Sequence, residues 1–245
     1  MTKDMGDGSS RRPPRPDILE IHEPGAPLLV AFGGLKGNLG MPPFEFLRST
    51  EALRAGKVFV RDPHQAWYHR GVPGLGDDID QVAAGLARVI DTHDPARVVM
   101  TGNSAGGYAA LLFSRIVPNV DAVIAFSPQT FIDRWHRAWH RDQRWRDQLR
   151  LVQRTGFARP DSLDLLHVIR RGIAPEVSTH IYVGADDRLD LVHARRMSDV
   201  PGVQVHEVRE GGGHSVVRSL RDRGALTTIL QASLRGDRSA GPLRA

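Results

Sequence analysis

Short, almost uninterrupted apolar runs alternate with helix-like segments along most of this chain, and few architectures accept that order. Leu28–Phe32 (LLVAF), Lys57–Arg61 (KVFVR), Arg97–Thr101 (RVVMT), Ala122–Phe126 (AVIAF), His180–Val183 (HIYV) and Val203–Val208 (VQVHEV) read as strands, and Ile18–His22 as a short strand closed by a Pro24-Gly25 turn. Between them, Asp78–His93 sets Ile79, Val82, Ala83, Leu86 and Ile90 on one helical stripe, and Pro43–Ala55, Tyr108–Val117, Arg188–Met197 and Ser215–Ser233 also read as helices. Strands apolar on both faces need cover on both faces, which predicts an α/β class: a mostly parallel sheet with helices on both sides. In such sheets functional residues gather at the C-terminal ends of the strands.

The 245 residues suit one large domain, long enough to bury a core without covalent staples. Absence of cysteine excludes disulfides, thiolate metal sites and a cysteine nucleophile. Lys+Arg 33 against Asp+Glu 28 gives a net +5, which permits an anionic partner without calling for one. Residues 1–17 read as a disordered tail; Arg11-Arg12 is followed by prolines and no apolar stretch, so no export signal is expected. Residues 235–245 read as a flexible C-terminal tail, leaving a folded domain over 18–234 with an insertion at about 129–175. A cytoplasmic protein with no membrane span is the expectation.

The chemistry concentrates in Val98–Ala110, where Gly102-Asn103-Ser104-Ala105-Gly106 joins a strand to a helix. A serine on so sharp a turn needs very small residues two before and two after it, and the helix N-terminus behind it offers free N–H groups. A nucleophilic serine also needs a base, and the base an orienting acid. Strand HIYV ends in Gly184-Ala185-Asp186-Asp187, and strand VQVHEV in Glu210-Gly211-Gly212-Gly213-His214, so an acid and a histidine reach the same sheet edge as Ser104.

With these motifs in the order Ser, Asp, His, the chain resembles the α/β-hydrolase superfamily over roughly Leu28–Leu234. The resemblance implies Ser104 as nucleophile, His214 as general base and Asp187, three positions after Gly184, as orienting acid. Asp186, then Asp190, are the alternatives, and a minority pattern points to Asp133. It further implies an oxyanion hole from the N–H of Ala105 and that of Gly34 or Leu35, in a Phe32-Gly33 loop where the family often has His-Gly. The implied reaction is hydrolysis of a carboxylic ester or thioester through an acyl-serine. Acyl transfer from a carrier- or CoA-bound group is the first alternative, and a non-catalytic binding protein on a hydrolase fold the second.

Phe131–Gly172 lies where the superfamily inserts a lid, and holds ten arginines against five aspartates and three of the four tryptophans. Ile132, Trp135 and Trp139 share one helical face; Trp145, Leu149 and Val152 form a second stripe. One expectation is a helical cap whose aromatic face closes over Ser104 while some arginines hold an anionic substrate group. The other is an amphipathic cap packed on the body with a solvated basic face. In the loop Arg61–Gly76, Trp67, Tyr68 and His69 are candidate pocket-lining residues, with plain packing over the sheet the equal alternative. Asp62, His64 and His69 imitate metal ligands, but no His-Glu-x-x-His, phosphate-binding loop or dinucleotide fingerprint occurs. Neither metal, cofactor nor nucleic acid is expected, and the partner is a small-molecule or carrier-bound acyl substrate.

Overall fold

The computed structural model describes residues 16–35, 44–154, 159–171, 177–210 and 212–237. The strands are β1 (Ile18–Ile21), β2 (Leu28–Phe32), β3 (Gly56–Val60), β4 (Val98–Asn103), β5 (Ala122–Phe126), β6 (Ser178–Gly184) and β7 (Val203–Val208). They form one seven-stranded sheet in the order β1-β3-β2-β4-β5-β6-β7. Only β1 runs antiparallel, on β3; all other neighbours pair parallel.

The alternation of side chains along each strand divides the core in two. Leu28, Val30, Phe32, Val58 and Val60 face a first layer with α1 (Ile79–His93) and α2 (Ala105–Ile116). Leu29, Ala31, Phe59, Ile124 and Phe126 face a second, with α7 (Val216–Asp222) and α8 (Ala225–Arg235). The strand order reverses between β2 and β4: the chain leaves β2 to one side for β3 and returns on the other for β4. In sheets of this kind ligands bind beyond the strand ends at such a reversal.

The segment after β5 carries α3 (Arg134–His140), α4 (Arg146–Arg154) and α5 (Leu165–Arg171) before β6, and α6 (Arg188–Arg195) follows β6. Leu149, Val152, Leu165 and Ile169 join the first core layer, so this segment is packed into the body. Among the described residues no helix is long and apolar enough to cross a membrane.

Three expectations need correction. The segment expected as a helix over Pro43–Ala55 is, from residue 44, a run of turns with one 3-10 turn at Arg48–Thr50; Pro43 lies outside the described residues. Phe44 and Phe46, two apart rather than three or four, both enter the second core layer, which a continuous helix would not allow. The closing helix is broken: Gly224, at φ +72°, turns the chain between α7 and α8. Asp17 and Arg235, expected in the tails, belong to the described fold. Asp17 accepts from Arg61 Nε at 2.9 Å and Arg61 N donates to Asp17 O at 2.8 Å, and α8 extends to Arg235. Residues 1–15 and 238–245 lie outside the described residues.

Candidate active site

Ser104 sits between the last residue of β4 and the first of α2, with φ +56° and ψ −118°, a conformation L-residues rarely adopt. The glycines around it are sterically required. A Cβ on Gly102 would lie 2.1 Å from Gly106 O, and one on Gly106 would lie 2.2 Å from Phe32 O. Strand and helix therefore cross backbone against backbone, with Ser104 at the C-terminal end of β4 and only 6% exposed.

Two side chains meet its hydroxyl. His214 Nε2 lies 3.0 Å from Ser104 Oγ, and Gln129 Nε2 donates to the same oxygen at 3.0 Å. His214 belongs to a 3-10 turn (Gly213–Ser215) after β7, entered through Gly212 and Gly213 at φ +68° and +60°. Its Nδ1 lies 2.8 Å from Asp190 Oδ2. Asp190 stands in the first turn of α6, fully buried, and its other oxygen accepts from Arg144 Nη1 at 2.7 Å. Burial alone would raise this carboxyl; the hydrogen bond and charge of His214 and those of Arg144 outweigh it and hold Asp190 below the usual carboxylate range.

The acid on His214 is thus Asp190, and the expectation of Asp187 gives way to it. Asp187 is the N-cap of α6, its Oδ1 accepting from Leu189 N and Asp190 N at 2.9 Å each. Asp186 accepts from Gly213 N at 3.0 Å and so holds the turn that presents His214. Asp133 is spent on capping α3. Asp187, Asp190 and His214 place donor atoms within 4.8 Å of one another, a grouping a metal ion can use. Arg144, beside Asp190 and 4.0 Å from Asp187, already supplies positive charge there.

Ala105 opens α2, with its N–H in the helix's first turn beside the nucleophile. Gly34 lies against Ser104, since a Cβ there would be 3.6 Å from Ser104 Cβ, but its N–H donates to Glu45 Oε2 at 3.1 Å. Glu45 Oε1 accepts from Asn103 Nδ2 at 2.7 Å, and burial pushes this carboxyl above its usual range. Leu35 is half-buried against the first core layer.

Trp67, Tyr68 and His69, candidates for lining a pocket, are fully buried and held by the fold instead. Asp62 gathers the N–H groups of His64, Ala66 and Tyr68. The Tyr68 hydroxyl donates to Gly33 O at 2.9 Å, and His69 Nε2 lies 2.8 Å from the Tyr108 hydroxyl. Trp67 reaches the site indirectly: its Nε1 donates to Gln129 Oε1 at 3.1 Å, which turns the amide nitrogen toward Ser104.

Trp135 and Trp139 are 86% and 83% exposed, so the expected aromatic closure over Ser104 does not occur. The aromatic beside His214 is Trp145, whose ring centre is 5.2 Å from that of His214 and which carries the Arg144 guanidinium at 4.8 Å. Arg144 also clasps Asp142, and His193 Nε2 lies 3.3 Å from Asp142 Oδ2 while its Nδ1 accepts from Thr130 N. Nothing in the sequence separated Arg144 from its nine neighbouring arginines, and Gln129 carried no motif.

No protein-family model matches this sequence, and no curated protein matches it. Solved structures do. The capsule O-acetyltransferase of Neisseria meningitidis serogroup A superposes with TM-score 0.62 at 16% identity, over 88% of this chain and 92% of that one. Thermogutta terrifontis esterase 2, in a form phosphoramylated by tabun, gives 0.57 at 16% identity, over 92% and 91%. MGS-MChE2, an α/β hydrolase from the metagenome of lagoon sediments at Mar Chica, Morocco, gives 0.55 at 18% identity, over 89% and 95%. At these identities the likeness concerns the fold.

Proposed function

This chain has the α/β-hydrolase fold, and on that premise we propose that it cleaves a carboxylic ester or thioester through an acyl-Ser104 intermediate. The observation that carries the reading is the unbroken line from Ser104 Oγ through His214 to Asp190, at 3.0 and 2.8 Å. Ser104 Oγ attacks the carbonyl carbon as its proton passes to His214 Nε2. Asp190 accepts from Nδ1–H, fixing the tautomer and facing the imidazolium. The tetrahedral intermediate collapses, and the leaving alcohol or thiol takes the proton from Nε2. Water then adds to the acyl-enzyme, giving a proton to Nε2, and the acid departs as Ser104 recovers its hydrogen.

Gln129 supports the first step. With Trp67 fixing its oxygen, its amide nitrogen donates to Ser104 Oγ, so the serine hydrogen is left for His214. The oxyanion is met by the N–H of Ala105 and by that of Leu35, or of Gly34 once it leaves Glu45. Acyl transfer is the second reading, favoured by the O-acetyltransferase among the structural neighbours.

The test is intact-mass spectrometry after treatment with a fluorophosphonate, on wild type and Ser104→Ala. A single adduct on wild type only is expected. No adduct on folded wild type, or an adduct retained by Ser104→Ala, sinks the proposal. Adding an alcohol acceptor during ester turnover separates the two readings by the product formed.

A further inference from the structure

The faces that α3 and α4 present to one another are not an arbitrary solvated shell. On α3 and its C-cap, positions 134, 137 and 141 follow one helical face; on α4, positions 146 and 150 do the same. Both faces border a single cleft of about 960 Å³, lined by Arg134, Arg137, Arg141, Arg146 and Arg150, with Asp142 its one carboxylate. The opposite face of α4 sends Leu149 and Val152 into the core.

Among the described residues most of these guanidiniums have little counter-charge. Arg134, Arg141 and Arg146 form no ion pair among the described residues, and Arg150 has only the exposed Asp147. Asp142 is already committed to Arg144 and His193. Arg137 donates to Arg144 O, and burial together with the charges of Arg146 and Arg144 draws it below its ordinary value against the pull of Asp142. A converging set of like charges with no internal partner is relieved by an anion.

The shape narrows the class. A bilayer is flat and cannot fill a concavity, whereas a volume of this size falls in the range of about 300–1,000 Å³ typical of small-molecule sites. Guanidinium forks match phosphate oxygens pairwise, and several forks around one cleft suit several phosphates. We infer that the cleft between α3 and α4 is a binding site for a multiply phosphorylated small molecule. The site is independent of the acyl chemistry, yet it adjoins it: Asp142 holds Arg144, and Arg144 holds Asp190.

Calorimetric titration of the full chain at 0.15 M salt with tripolyphosphate, ADP and coenzyme A tests this. At least one should bind with Kd below about 100 μM, a binding free energy of about −5.5 kcal/mol. The double variant Arg141→Gln/Arg146→Gln, altered at two exposed positions, should bind at least about tenfold more weakly, the scale of one or two charge-assisted contacts. Its melting temperature and its fluorophosphonate labelling at Ser104 should match wild type, and Ser104→Ala should bind the phosphate ligand normally even if no serine labels. No saturable binding of any of the three, or unchanged affinity in the double variant, overturns the inference. So does association with phosphatidylglycerol vesicles in place of the free phosphates.

Discussion

Three aspartates within five residues do three different jobs, and the backbone decides which. Asp187 is at the N-cap, where its oxygen is consumed by the N–H groups opening α6. Asp190 is one turn on, where side chains lean back toward the helix N-terminus and so toward His214. Counting from the strand-end glycine picks the right loop and the wrong carboxylate, because it cannot tell where the helix begins. Ser104 and His214, which the structure brings within 3.0 Å, were both legible: the first because steric need at Gly102 and Gly106 leaves a readable spacing, the second from its place after a strand. Arg144 and Gln129 act through geometry alone and leave none. Asp190→Asn should therefore lower kcat by on the order of 10³–10⁴, whereas Asp187→Asn should leave it within a few-fold. Asp187→Ala should cost about 1 kcal/mol of stability as a lost cap. Steady-state kinetics on a synthetic ester and thermal melts read both; equal kinetic losses would reject the assignment.

Among elements, the central strands were legible because parallel strands covered on both faces are apolar nearly throughout: β2 and β5 without exception, β3 with Lys57 alone interrupting. Segment 44–55 was not, because its phenylalanines serve the sheet rather than a helix of their own. The outer strands hold a titrating feature. His180 Nδ1 lies 3.1 Å from His206 Nε2 across the β6–β7 pair, and the His206 ring stacks on Tyr182 at 4.4 Å. Burial, aided by the charge of His180, pulls His206 down to about 4. The unfolded chain keeps the ordinary value near 6.5 and so binds more protons between the two. Stability should fall as pH drops from about 6.5 to 4, by of order 2–3 kcal/mol at most, and this contribution should level off below. His206→Phe, which keeps the stacked ring, should flatten that limb in melts taken across pH; an unchanged limb would assign the acid sensitivity elsewhere.

For the molecule as a whole, the basic, tryptophan-rich character of the insertion was legible, but the direction of its faces was not. Periodicity showed two stripes; only packing reveals that Trp145, Leu149 and Val152 turn inward while Trp135 and Trp139 face water. The insertion is also fastened to the body by Arg196 on Asp164, at 2.6 and 2.9 Å, and closed on itself by the Phe131–Asp164 bridge. These contacts lead us to expect structural cladding rather than a hinged lid. Native-state hydrogen exchange should find α5 amides protected to the same order as those of α2, against which α5 packs. Exchange faster by several orders of magnitude would indicate a lid that opens.

Ser104 and His214 are 110 residues apart in sequence, and His214 hangs from β7, an edge strand of the sheet. During synthesis the elbow emerges long before its partner, so the growing chain carries an inert alcohol until β7 docks. On the proposed mechanism, serine reactivity is then a chemical reporter of whether the last strand is in place: a molecule that keeps its core, its helices and its elbow but not β7 should be silent.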